Sequence, residues 1–105
     1  MKPFLEYKNA EGVKYAMYFK KPTIVKYKNK KRIVTELDGS CESPDCKNPE
    51  ININKKLGDR REMAVIIEEI VHSFFFDKLE KEVRPLASVI TKVLYKKGWR
   101  KKKLK

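Results

Sequence analysis

The sequence predicts an α+β fold, a small and mainly antiparallel sheet of three or four strands packed by two C-terminal helices. Three observations point there. Short runs dominated by β-branched and aromatic residues fill the first third of the chain. Apolar residues then recur at helical spacing in two segments after Asp59. Between these halves, Asp38 to Pro49 is rich in Gly, Ser, Pro, Asp and Cys, which is loop chemistry. A chain of 105 residues with 41% hydrophobic content can bury one modest core and not two.

Three strands are expected first, at Val13–Phe19, Thr23–Lys28 and Lys31–Leu37. Lys28-Asn29-Lys30-Lys31 supplies a hairpin turn between the second and third. Lysines along them protect exposed edges from pairing with other chains. After the loop, Glu50-Ile51-Asn52-Ile53-Asn54 alternates strictly and reads as a short edge strand, Ile51 and Ile53 on one face.

Asp59 with Glu62 three residues on reads as a capping box opening the first helix. Met63, Ile66, Ile67, Ile70, Val71, Phe74 and Phe75 form its apolar stripe. The second helix is expected to open near Asp77 and Glu80 and to stop at Lys97-Gly98. Its apolar face is Leu79, Val83, Leu86, Ala87, Ile90, Val93 and Leu94, with Pro85 disturbing the first two turns. Residues 1–99 thus form one domain, and 100–105 a basic C-terminal tail.

The net charge of +12 is uneven. Residues 1–36 carry 10 Lys/Arg against 3 Asp/Glu, residues 37–84 carry 8 against 11, and residues 85–105 carry 8 against none. Basic segments flanking an acidic middle favour nucleic acid or another acidic partner. Arg100, Lys101, Lys102, Lys103 and Lys105 are the candidate nucleic-acid contacts; solubility alone is the plainer explanation of the charge. No apolar run approaches the roughly 20 residues that span a bilayer. The chain's start lacks a signal-peptide core, so a cytoplasmic location is expected. Cys41 and Cys46 form one pair without a second pair or a nearby histidine. They read as ordinary loop thiols rather than a zinc knuckle or a lasting disulfide.

Glu68-Glu69-Ile70-Val71-His72 places two carboxylates and the single histidine of the chain in one apolar helical run. Polar groups in such a run need partners, a metal or solvent. The spacing is that of the zinc-peptidase helix H-E-x-x-H with the first histidine replaced by Glu68. In that motif two ligands four apart reach one metal, and a third comes from a following segment. Here Glu68 and His72, with Glu80, become the metal-ligand set. Exchanging an imidazole for a carboxylate disfavours zinc and the acidification of bound water, and leaves manganese or iron open. The plain readings are a Glu68–His72 pair at i,i+4, Glu80 as a cap partner of Asp77, and a solvated Glu69 on the polar side of the helix. Phe74-Phe75-Phe76 reads as core packing, and the tyrosines among the lysines as strand packing rather than base-stacking platforms.

From Asp38 to Arg100 the chain resembles small phage-encoded metallopeptidase-like proteins related to the minimal gluzincins and the SprT-like zincins. The resemblance rests on the Cys/Pro loop, the strand Ile51-Asn52-Ile53, the run Glu-x-x-His-Ser-Phe-Phe-Phe-Asp, the following Glu80, and Leu94-Tyr95-Lys96-Lys97-Gly98-Trp99-Arg100. It covers about three fifths of the chain, and the N-terminal strands fit in type only. It implies a zincin-like fold, a divalent metal held by His72 and Glu80, Glu69 as general base, and substrate lying along strand 51–53. Glu68 departs from the pattern, so the implied protein has a degenerate peptidase site and acts as a binding or structural component. A protein or peptide is the expected partner, nucleic acid the alternative, and a membrane is not expected. The cofactor is zinc, manganese, iron or none. The rivals are an active metal-dependent peptidase using Glu68, His72, Glu80 and Glu69, and a basic nucleic-acid-associated protein.

Overall fold

The computed structural model describes residues 2–101. Six strands precede two helices: β1 (Leu5–Lys8), β2 (Lys14–Tyr18), β3 (Thr23–Lys28), β4 (Lys31–Glu36), β5 (Gly39–Cys41), β6 (Glu50–Ile53), α1 (Asp59–Phe74) and α2 (Glu80–Lys96). This is the expected α+β class. The main sheet has the order β1-β2-β6-β5 and is mixed, because β2 and β6 run parallel.

Two of its strands were not expected. β1 is only four residues long and pairs antiparallel with β2, Leu5 opposite Met17. β5 has the loop-like sequence Gly-Ser-Cys and is recruited by the ladder of β6, with Ser40 opposite Asn52. Its presence corrects the placement of β6, which lies inside the sheet and not at its edge.

β3 and β4 form a separate two-stranded ribbon in full register from Thr23–Glu36 to Lys28–Lys31. Asn29 and Lys30 both have positive φ, 51° and 64°. Those angles define the tight mirror-image turn whose twist matches a hairpin. The ribbon is tied down at its base, where Asn54 Nδ2 donates to Glu36 Oε1 at 2.7 Å and Lys21 Nζ meets Glu36 Oε2 at 3.2 Å.

The core lies between sheet and α1. Tyr15 and Met17 of β2, Ile51 and Ile53 of β6 and Val65 of α1 are buried together. Alternation explains the strand contribution, since residues two apart face the same side. The helix contribution differs from the expected stripe. The most buried positions of α1 are Glu62, Val65, Glu69 and Ser73. α1 is covered by the sheet on one side and by α2 on another, so its broad apolar arc does not mark the axis of burial. Phe74, Phe75 and Phe76 are exposed, contrary to the expected core role.

The end of α1 is pinned to the first hairpin. Tyr7 Oη hydrogen-bonds Ser73 Oγ, and Asn9 Nδ2 donates to the Ser73 carbonyl at 3.0 Å. Burial pushes the Tyr7 hydroxyl up to about 12, so it stays protonated.

Both expected helix starts shift. Gly58, in extended geometry, is the residue before α1, and Asp59 makes no side-chain cap. α2 opens after Leu79, whose N–H is accepted by Glu82 Oε2 at 3.3 Å, so Asp77 is not its cap. α2 packs on α1 through Val83, Ala87 and Thr91, one residue per turn, while Leu79, Leu86 and Val93 of the expected face are exposed. Among the described residues, no helix is long and apolar enough to cross a membrane.

Candidate functional site

One turn of α1 and the first turn of α2 build the site. Glu68, Glu69 and His72 come from α1, and the short join brings Glu80 at the start of α2 back over them. One ligand atom from each of Glu68, His72 and Glu80 falls within 4.8 Å of the others. The three expected metal ligands therefore converge, although Glu80 is remote in sequence from the helical pair.

Their pairings are not those of the plain reading. His72 Nε2 lies 2.7 Å from Glu80 Oε1, not against Glu68. Glu68 Oε1 instead faces Arg84 Nε at 3.4 Å, and the same nitrogen lies 3.1 Å from Glu80 Oε2. Arg84 is one turn beyond Glu80 on α2, so helical spacing puts its guanidinium over both carboxylates. The spacing Glu80–Arg84 was visible in the sequence, but its bearing on Glu68 depends on how α2 folds back onto α1.

Glu69 corrects the largest sequence expectation. It is not solvated on a polar face; it is 7% exposed and points towards the sheet. Its Oε1 lies 3.9 Å from His72 Nε2, and its Oε2 is buried with no hydrogen-bond partner in the protein. Burial, then the nearby Glu68 and Glu80 charges, push its carboxyl up to about 8. At neutral pH it is therefore largely a neutral acid. Glu68 is also raised, first by burial and then by Glu80, with Arg84 opposing.

β5 closes the site from the sheet side. A Cβ on Gly39 would stand 2.5 Å from Val65 Cγ1 and 3.2 Å from Glu69 Cγ, so only glycine allows β5 to approach α1 this closely. The strand lying beside the cleft is thus β5, at the sheet edge, and not residues 51–53 as the resemblance implied. Two open clefts meet here. One of about 430 Å³ is lined by residues including Gly39, Arg61, Glu68, Glu80 and Arg84. The other, about 330 Å³, includes Ser40, Cys41, Glu69, His72 and Phe76. Cys41 and Cys46 are both free thiols, and burial followed by the Glu69 charge pushes Cys41 up to about 12, which keeps it unreactive.

The basic tail is placed only in part. Arg100 stacks 3.4 Å from the Tyr95 ring centre and donates to the Tyr95 and Trp99 carbonyls. Lys101 Nζ pairs with Glu62 Oε1 at 3.1 Å. Lys102, Lys103 and Lys105 lie outside the described residues.

No protein-family model, curated protein or solved structure matches the chain.

Proposed function

We propose that this chain is a zincin-like protein of phage type whose peptidase centre is degenerate and serves as a peptide- or protein-binding site. The observation that supports this best is Arg84. Its Nε lies between Glu68 Oε1 and Glu80 Oε2 at 3.4 and 3.1 Å, so the protein supplies a cation where a peptidase would hold its metal. His72 Nε2 lies 2.7 Å from the Glu80 carboxylate, so the imidazole is held against an acid rather than an ion.

The donor set nevertheless fits a divalent cation in kind, with one imidazole nitrogen and two carboxylates within 4.8 Å. Glu68, His72 and Glu80 would hold it after Arg84 withdraws. A bound metal would polarise a carbonyl or acidify a water. The chain's own residues do the rest of the work in either state. The outer edge of β5 offers unpaired backbone groups to an extended segment. Glu69, a raised acid, lines the cleft beside β5 with one carboxyl oxygen left without a partner in the protein.

One observation favours the rival reading of an active metal-dependent peptidase. Glu69 lies beside the three converging ligands, 3.9 Å from His72 Nε2, where a general base belongs.

Hydrolysis of a quenched fluorescent peptide library with added Zn²⁺ or Mn²⁺ separates the two. The degenerate site gives no metal-dependent turnover, while Glu68→His, which restores the histidine pair, gains zinc. Turnover in the wild type that vanishes in both Glu69→Gln and His72→Ala would establish the peptidase instead.

A further inference from the structure

We propose that the β3–β4 ribbon is an arm that enters the major groove of double-stranded DNA. This inference is independent of the zincin-like reading, since the ribbon reaches that site only through Glu36 at its base, and the basic residues invoked lie at the other end.

The ribbon is separate from the main sheet, and all twelve residues of its two strands are exposed. A two-stranded hairpin with both faces in water gains little stability from its own packing. The molecule is correspondingly long, 49 × 33 × 32 Å, with a radius of gyration of 14.8 Å. A compact globule of this length would have about 13 Å.

Charge identifies the occupant. Lys26, Lys28, Lys30, Lys31 and Arg32 lie within seven consecutive residues. None of the five forms an ion pair among the described residues. Acidic partners are spent at the base and elsewhere, on Lys20, Lys21, Lys14 and Arg61. Five unneutralised cations along a rod about 20 Å long stand about 4 Å apart on average, close to the phosphate spacing of about 3.4 Å along one strand of duplex DNA.

Shape separates DNA from other polyanions. The B-form major groove, about 12 Å wide, admits a two-stranded ribbon, whereas the A-form RNA groove is too narrow. Register sorts the side chains. Val25 pairs with Val34 and Tyr27 with Arg32 on one face, while Ile24, the Lys26–Ile33 pair and the Lys28–Lys31 pair lie on the other. The first face carries apolar and guanidinium groups suited to base edges, with Tyr27 73% exposed. The lysines of the second face are long enough to reach the phosphates flanking the groove, and Lys30 stands at the tip.

Fluorescence anisotropy of the full chain with a labelled 20-base-pair duplex, between 50 and 200 mM salt, tests the proposal. Four phosphate contacts, from Lys26, Lys28, Lys30 and Lys31, give a log–log salt slope of about −3.6, or about 150-fold weaker binding across that range. The quadruple variant Lys26→Gln/Lys28→Gln/Lys31→Gln/Arg32→Gln removes three phosphate contacts and should lose about 2.7 from the slope, while Arg100→Gln/Lys101→Gln should not. Lys30→Glu, at the solvent-facing tip, keeps the test decisive if the quadruple variant misfolds, and should lose about 1 from the slope. Absence of duplex binding at 50 mM salt, or a slope unchanged in either ribbon variant, would overturn the proposal. Equal binding of single-stranded DNA, duplex RNA or polyglutamate would also overturn it, since each lacks the groove.

Discussion

Glu80 reaches across the join between the helices to place its Oε1 2.7 Å from His72 Nε2. The contact fixes the start of α2 over the turn of α1 that carries Glu68, Glu69 and His72, and Arg84 follows onto the same carboxylate at 3.1 Å. The convergence of Glu68, His72, Glu80 and Arg84 depends on that fold-back.

Glu80→Gln should therefore act on two levels. The ion pairs it makes are more than half exposed on the Glu80 side, and such pairs are worth about 0.5–1 kcal/mol. A urea midpoint should fall by that modest amount. The same change removes a negative charge that helps hold Glu69 protonated. An NMR titration of the Glu69 carboxyl should show its pKa move down.

Stability should fall as pH rises. Glu69 titrates at about 8 in the folded chain against an ordinary value of 4.5. A raised acid binds its proton more tightly when folded, so its contribution is full below pH 4.5 and is lost progressively as pH rises through about 8. At about 1.4 kcal/mol per unit, the span is of the order of 5 kcal/mol. Denaturation series at pH 5, 7 and 9 should show this decline, and Glu69→Gln should flatten it. A wild type whose stability did not decline over that interval would show that Glu69 ionises normally.

Gly39→Ala should cost about 1–3 kcal/mol, the usual range for overpacking. The new methyl would stand 2.5 Å from Val65 Cγ1. Thermal unfolding of Gly39→Ala, Val65→Ala and the double variant measures it, and the double variant should lose less than the sum of the two single losses. Additive losses would mean that β5 does not press on α1 at this point.

How much was legible in the sequence follows from the range of each interaction. Thr23–Lys28 and Lys31–Glu36 were readable because strand propensity and a tight turn are local. Ile51 and Ile53 were readable because a half-buried strand alternates. β5 was not, since Gly-Ser-Cys has no strand propensity and owes its conformation to β6. Helical spacing brought Glu68 and His72 together, and the resemblance supplied Glu80. The burial of Glu69 was hidden because α1 turns a face containing two glutamates towards the sheet side. Glu62 answers Lys101 at 3.1 Å, whereas Glu69 Oε2 meets nothing. A buried acid without a partner breaks the local rule, and such breaks are expected at functional sites.

Calorimetric titration of the chelator-treated chain with Mn²⁺ and Zn²⁺ tests most directly whether Arg84 stands in for a metal. The wild type should show no stoichiometric micromolar site, and Arg84→Ala should bind at least about tenfold more tightly, a difference of about 1.4 kcal/mol. A stoichiometric micromolar site in the wild type, abolished by His72→Ala and not strengthened by Arg84→Ala, would contradict the account.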